Sequence, residues 1–198
     1  MARGPGRPPH IREVFSFEDL TLDVPREVVL DTSFVVGALI KTEIDHAACR
    51  DFLVRLADAD STVYFNRILE IELAEVAFRL AVKERHGSKG WPQKRNDGRV
   101  RRRAARLSDG LLTSWNEVLE AVPHVRIELH EVADAVPEWM AKYGLGSMDA
   151  AHAITASYAR VDGLVTTDAG FDNVSAKQLR LYVDASRVRS CRRRRGGR

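Results

Sequence analysis

Four acidic residues stand at the ends or flanks of patterned apolar runs. Val28-Val29-Leu30 is a short, wholly apolar run that ends in Asp31. Such a run reads as a strand buried on both faces, and the acid after it faces the crevice beyond the strand's carboxyl end. Asp168 follows the run Gly163-Leu164-Val165-Thr166-Thr167 in the same way. A cap or turn role explains one such acid as well as a crevice role does, and explains two less easily. Asp149 lies in the first turn of a helix, directly after a Gly-Leu-Gly-Ser break, where it also complements the helix dipole. Glu72 flanks the stripe Leu69, Leu73, Val76 and Leu80, and Glu70 and Glu75 are alternatives to it. Carboxylate oxygens are hard donors, the kind that Mg²⁺ and Mn²⁺ take.

The elements that must hold these acids follow from periodicity. Thr62 to Phe65 is a second short strand, Val125 to Leu129 a third, Gly163 to Thr167 a fourth and Leu179 to Val183 a fifth. Between them, helical spacing predicts helices starting after Asp31, with Thr32 or Ser33 as cap, and over His46 to Ala59 and Ile68 to Arg85. Further helices run through Ala104 to Leu119, Val132 to about Tyr143, and Met148 to Arg160, the last capped by Ser147. Strands alternating with helices imply parallel crossovers and a sheet covered on both faces. Residues 1–26 read as an extension, partly disordered or loosely docked, given Pro5, Pro8, Pro9 and Pro25. The domain proper spans 27–184, with a basic helix-loop insertion at about 84–103 and an Arg-rich tail at 185–198.

Charge is segregated along the chain. Lys83 to Asp109 carries ten Lys and Arg against three acids, and Ser186 to Arg198 carries seven Arg and no acid. Met1 to Arg12 adds three more Arg, so a total of +3 leaves −14 for the rest. An acidic body with basic appendages suggests a polyanion gripped at the edges, although an Arg-rich end can equally be a solvated tail. Lys94, Arg95, Arg99, Arg101, Arg102 and Arg103 are the candidate phosphate contacts. Trp91, among them, either stacks on a base or anchors the loop. No apolar run approaches the ~20 residues of a membrane span, and the first ten residues lack the apolar stretch of a secretory signal. Cys49 and Cys191 stand far apart, outside any C-x-x-C pair, which gives no support to a disulfide framework or a thiolate zinc site. The expectation is a protein of the cytoplasm.

Together these segments resemble a known family. Val28-Val29-Leu30-Asp31-Thr32-Ser33 is similar to the opening strand and first acid of PIN-domain nucleases, above all the VapC-type toxins of type II toxin–antitoxin systems. Asn66-Arg67-Ile68-Leu69-Glu70-Ile71-Glu72-Leu73 resembles the family's helix with a Glu-Leu pair, which puts the second acid at Glu72. Gly146 to Ala153 resembles the helix opening of the third acid, Asp149, and Leu164 to Phe171 the last motif, Asp168 with a Phe three residues on. The four occur in the family's order across roughly 28–183. The resemblance implies a three-layer α/β/α sandwich around a mostly parallel sheet of about five strands.

It also implies that Asp31, Glu72, Asp149 and Asp168 form one catalytic and metal-holding cluster. Two like charges ~4 Å apart at an effective dielectric of ~20 repel by about 4 kcal/mol, so such a cluster calls for divalent cations, Mg²⁺ or Mn²⁺. His152, one turn after Asp149, reads as a packing or hydrogen-bonding residue and not a ligand. The implied activity is metal-dependent cleavage of RNA within the chain, by a toxin held off by an antitoxin protein and acting as a homodimer. A housekeeping RNA-processing nuclease and a non-catalytic nucleic-acid-binding module on the same fold are the alternatives. A haloacid-dehalogenase-like phosphatase needs an Asp where Ser33 stands, a receiver domain needs an acidic pair and a late Lys, and no phosphate-loop motif supports an ATPase.

Overall fold

The computed structural model describes residues 14–87, 91, 93–175 and 177–196. Six strands, β1 (Val14–Ser16), β2 (Glu27–Leu30), β3 (Thr62–Asn66), β4 (His124–Ile127), β5 (Gly163–Val165) and β6 (Leu181–Val183), form one sheet in the order β1-β6-β5-β2-β3-β4. Every pairing in it is parallel. The sheet therefore has one strand more than the sequence pattern predicts.

Eight helices flank the sheet among the described residues. They are α1 (Thr32–Leu39), α2 (His46–Asp58), α3 (Arg67–His86), α4 (Gly98–Ala121), α5 (Leu129–Val132), α6 (Val136–Tyr143), α7 (Ser147–Ala159) and α8 (Ala185–Gly196). Because side chains alternate across a strand, β2 sends Val28 and Leu30 to one face and Val29 to the other. The first face packs on Phe34 of α1, Phe52 of α2, Leu73 of α3 and Trp115 of α4. The second packs on Trp139 of α6, Ile154 of α7 and Cys191 of α8. The result is the expected three-layer α/β/α sandwich with its sheet buried on both sides.

Three expectations are corrected. Residues 14–25 are docked, not loose: β1 pairs with β6, and Phe17 is buried against Phe34 and Phe52. Arg55 of α2 donates to the carbonyls of Phe17, Asp19 and Leu22, which satisfies backbone acceptors that a loop would leave to water. Residues 1–13 lie outside the described residues. The Arg-rich stretch forms α8, held by a buried ion pair from Arg187 to Asp172 (2.8 Å) and by Arg192 donating to the carbonyl of Val14 (2.8 Å). Helix α4 begins at Gly98, just inside the stretch from His86 to Val100 where periodicity fails, because Asp97 caps it by accepting from the Arg99 and Val100 amides.

Helices α3 and α4 extend as a hairpin with a small core of its own, Ala81, Val82, Val100 and Ala104. Phe78, Trp91 and Leu107 pack onto that core, so Trp91 anchors the segment. The helix predicted over Val132 to Tyr143 is divided by a 3-10 turn (Ala133–Ala135), with Pro137 starting the new helix, where its missing N–H costs nothing.

Candidate metal centre

The side chain of Asp31 leaves the end of β2 and caps α1, accepting from the Ser33 amide; Thr32 and Ser33 do not cap the helix. Asp31 is 3% exposed, so its charge has to be supported locally. Its Oδ2 accepts from the hydroxyls of Ser33 (2.5 Å) and Thr166 (2.8 Å). Both hydroxyls belong to a lattice that joins β2 to β5: the Thr167 amide donates to Ser33 Oγ and the Asp168 amide to Thr166 Oγ1. Oδ2 is thereby occupied, and the other oxygen, Oδ1, carries no such bond. Burial pushes the Asp31 carboxyl up, against the pull of His152 and the two hydroxyls.

Glu72 comes from the second turn of α3. That helix is fixed at its start by Asn66, a fully buried residue whose Oδ1 accepts from the Ile68 amide while its Nδ2 donates to Thr155 of α7. Glu72 Oε2 accepts from Thr32 Oγ1 (2.6 Å) and from His152 Nε2 (2.8 Å). Since a carboxylate only accepts, His152 carries its proton on Nε2. Burial drives the Glu72 carboxyl up, but the His152 bond, the His152 charge and the Thr32 bond outweigh it and hold the group below its ordinary value. The imidazole moves oppositely: burial lowers it, and Glu72, Asp31 and Asp149 together raise it.

Asp149 sits in the first turn of α7, whose cap is Gly146 and not Ser147. A Cβ on Gly146 would lie 3.1 Å from Asp149 Oδ2, so glycine lets the chain pass that close to the carboxylate. Asp168 follows β5 and caps the 3-10 helix Ala169–Asn173, accepting from the Gly170 amide (2.7 Å). The position of a Cβ on Gly170 would be 3.4 Å from oxygens of both Asp149 and Asp168, which places those two carboxylates close to one point. The Asp149 carboxyl is pushed up to about 6, first by burial and then by the charges of Asp31, Asp168 and Glu72.

All four acids line one cavity of about 280 Å³, with Thr32, Ser33, Val36, Glu43, Val76, Arg79 and Thr167. Glu72, not Glu70 or Glu75, is the acid of α3 that faces it. Ligand atoms of Asp31, Glu72 and His152 lie within 4.8 Å of one another. His152, however, is fully buried behind Glu72 and is not part of the cavity wall, so it orients a carboxylate, as outer partners of metal sites do. The donors that remain are carboxylate oxygens, a fit for Mg²⁺ or Mn²⁺ and a poor one for zinc or copper.

Residues 28–177 match the PIN domain family. The chain belongs to that family. A PIN domain is a nuclease fold, typically metal-dependent, and the acidic cluster here could bind the metal. No curated protein matches the chain. Strand β1 and helix α8 both fall outside the matched PIN region. No helix among the described residues is long and apolar enough to cross a membrane.

None of the six predicted phosphate contacts lines the PIN cavity. Lys94 and Arg95 lie in the 3-10 helix Gln93–Asn96, and Arg99, Arg101, Arg102 and Arg103 in the first turns of α4. Two of them are engaged internally: Arg95 pairs with Glu75 (2.7 Å) and lies over Phe78 and Trp91, and Arg103 pairs with Glu84 (2.7 Å). Lys94, Arg99, Arg101 and Arg102 are exposed. Residues that the sequence reading missed are Thr32, Ser33 and Thr166, which hold the acids, and Glu43 and Arg79, which share the cavity. Ser33 and Thr166 stand two residues from Asp31 and Asp168, a spacing that signals hydroxyl support; nothing local marks Glu43, which a loop between α1 and α2 brings in.

Proposed function

We propose that this PIN domain is a metal-dependent endoribonuclease that hydrolyses RNA phosphodiesters at Asp31, Glu72, Asp149 and Asp168. The observation that carries the reading is the meeting of four carboxylates, from four separated segments, in one cavity. Mg²⁺ or Mn²⁺ bound there would supply an acidified water and stabilise charge on the phosphodiester under attack. The chain's own residues do the rest. Ser33 and Thr166 fix Asp31 by one oxygen, and Thr32 and His152 fix Glu72 by one oxygen, so that each carboxylate keeps the other oxygen for the ion. Asp149, held near 6, gives up its proton readily on metal binding.

In this reading the protein is a VapC-type toxin, working as a homodimer and silenced by an antitoxin protein that covers the crevice. The exposed Lys94, Arg99, Arg101 and Arg102 neutralise RNA phosphates outside the cavity. Incubation with mixed RNA tests the reading: internal cuts with Mn²⁺, none with chelator, and none for Asp149→Asn are expected. Cleavage that persists with chelator, or full activity in Asp149→Asn, overturns it.

A further inference from the structure

The carboxylate cavity poses an electrostatic difficulty that the basic hairpin tip does not resolve. RNA is an anion, and the wall of this cavity holds five acids, Asp31, Glu43, Glu72, Asp149 and Asp168. A single cationic side chain, Arg79, stands among them. It lies seven residues after Glu72 on α3, on the stripe Glu72, Val76, Arg79 that spacings of four and three residues put on one face. Its charge reaches Glu72 and helps hold that carboxyl low. Among the described residues Arg79 is nonetheless exposed and in no ion pair, unlike Arg85, Arg95 and Arg103. Its guanidinium fork is free for an external ligand, and that fork matches a phosphate's two oxygens. Lys83 continues the stripe one turn on, ~6 Å further along the axis, and is likewise exposed and unpaired.

We propose that Arg79 binds the RNA phosphate at the mouth of the carboxylate cavity and that Lys83 takes a neighbouring one. Helix α3 thus serves both halves of the reaction, presenting Glu72 within the cavity and a phosphate ladder further along the same face. The proposal rests on the nuclease reading. It also shifts the first point of substrate contact from the hairpin tip to the middle of α3.

The test is binding of a fluorescein-labelled single-stranded RNA by the full chain, with chelator to prevent cutting, over a range of salt concentrations. Arg79→Gln is expected to weaken binding about tenfold, as the loss of one charge-assisted hydrogen bond does, and to reduce the salt slope by ~0.7. Arg79→Lys should keep most of the slope, and Lys83→Gln should lower it by a similar step. Titration of Mn²⁺ without RNA supplies the control: Arg79→Gln should bind the ion at least as well as wild type, since a cation has left its neighbourhood. Wild-type binding and cutting of RNA with an unchanged slope in Arg79→Gln overturns this proposal alone. Failure of the wild type to bind RNA at all overturns it together with the nuclease reading.

Discussion

Asp149 titrates near 6 because burial and three neighbouring carboxylates oppose its ionisation. Between about pH 4 and 6 the native protein therefore keeps a proton that the unfolded chain has already released, and stability falls as pH rises through that window. In chelator at pH 7, Asp149→Asn should be more stable than wild type, by on the order of 1 kcal/mol once partial exposure is allowed for. Thermal melts at pH 4 and 7 check this: the difference should vanish at the lower pH, and a less stable variant at pH 7 would contradict the crowding of charge. For the same reason, calorimetric Mn²⁺ affinity should weaken as pH drops below 6. His152 answers a different question, since its imidazole fills a buried site and donates to Glu72. His152→Ala should cost about 2–3 kcal/mol in urea unfolding and weaken Mn²⁺ binding, because Glu72 keeps its charge and loses a donor.

Among the elements, the 3-10 helix Ala169–Asn173 links the site to the chain's C-terminal helix. It starts from Asp168, and near its end Asp172, 3% exposed, is bound by Arg187 of α8, with Arg194 at 3.6 Å. Asp172→Ala should destabilise the fold by about 3 kcal/mol, by leaving Arg187 without its anion, and should also weaken Mn²⁺ binding through Asp168. Chemical denaturation and Mn²⁺ titration read the two effects separately. The pattern of what sequence reading captured has the same physical basis. Strands β2, β3, β5 and β6 are legible because burial on both faces demands unbroken apolar runs, and Asp31 and Asp168 because a charge closing such a run is conspicuous. Strand β1 is three residues long and follows a proline-rich stretch, so only its pairing with β6 reveals it. Helix α8 offers Val188 and Cys191 as its apolar face amid arginines, too little signal for a helix until Asp172 and the Val14 carbonyl are seen to receive them. Arg79 escaped because its partner is a cavity assembled from five segments.

For the molecule as a whole, metal binding at the cluster would couple to folding. An ion that binds the native state alone at a hundred times its dissociation constant adds about 2.7 kcal/mol to stability. Mn²⁺ should therefore raise the melting temperature of wild type, chelator should reverse the gain, and Asp149→Asn should show little of it. The two ends of the described chain are also fastened to each other. Strand β1 pairs with β6 alone, and Arg192 binds the carbonyl of Val14 across a separation of 178 residues. During synthesis β1 must therefore wait, unpaired, until β6 and α8 have left the ribosome. Assembly of this edge is delayed accordingly, and a nascent chain that lacks β6 leaves the backbone groups of β1 without their ladder partners.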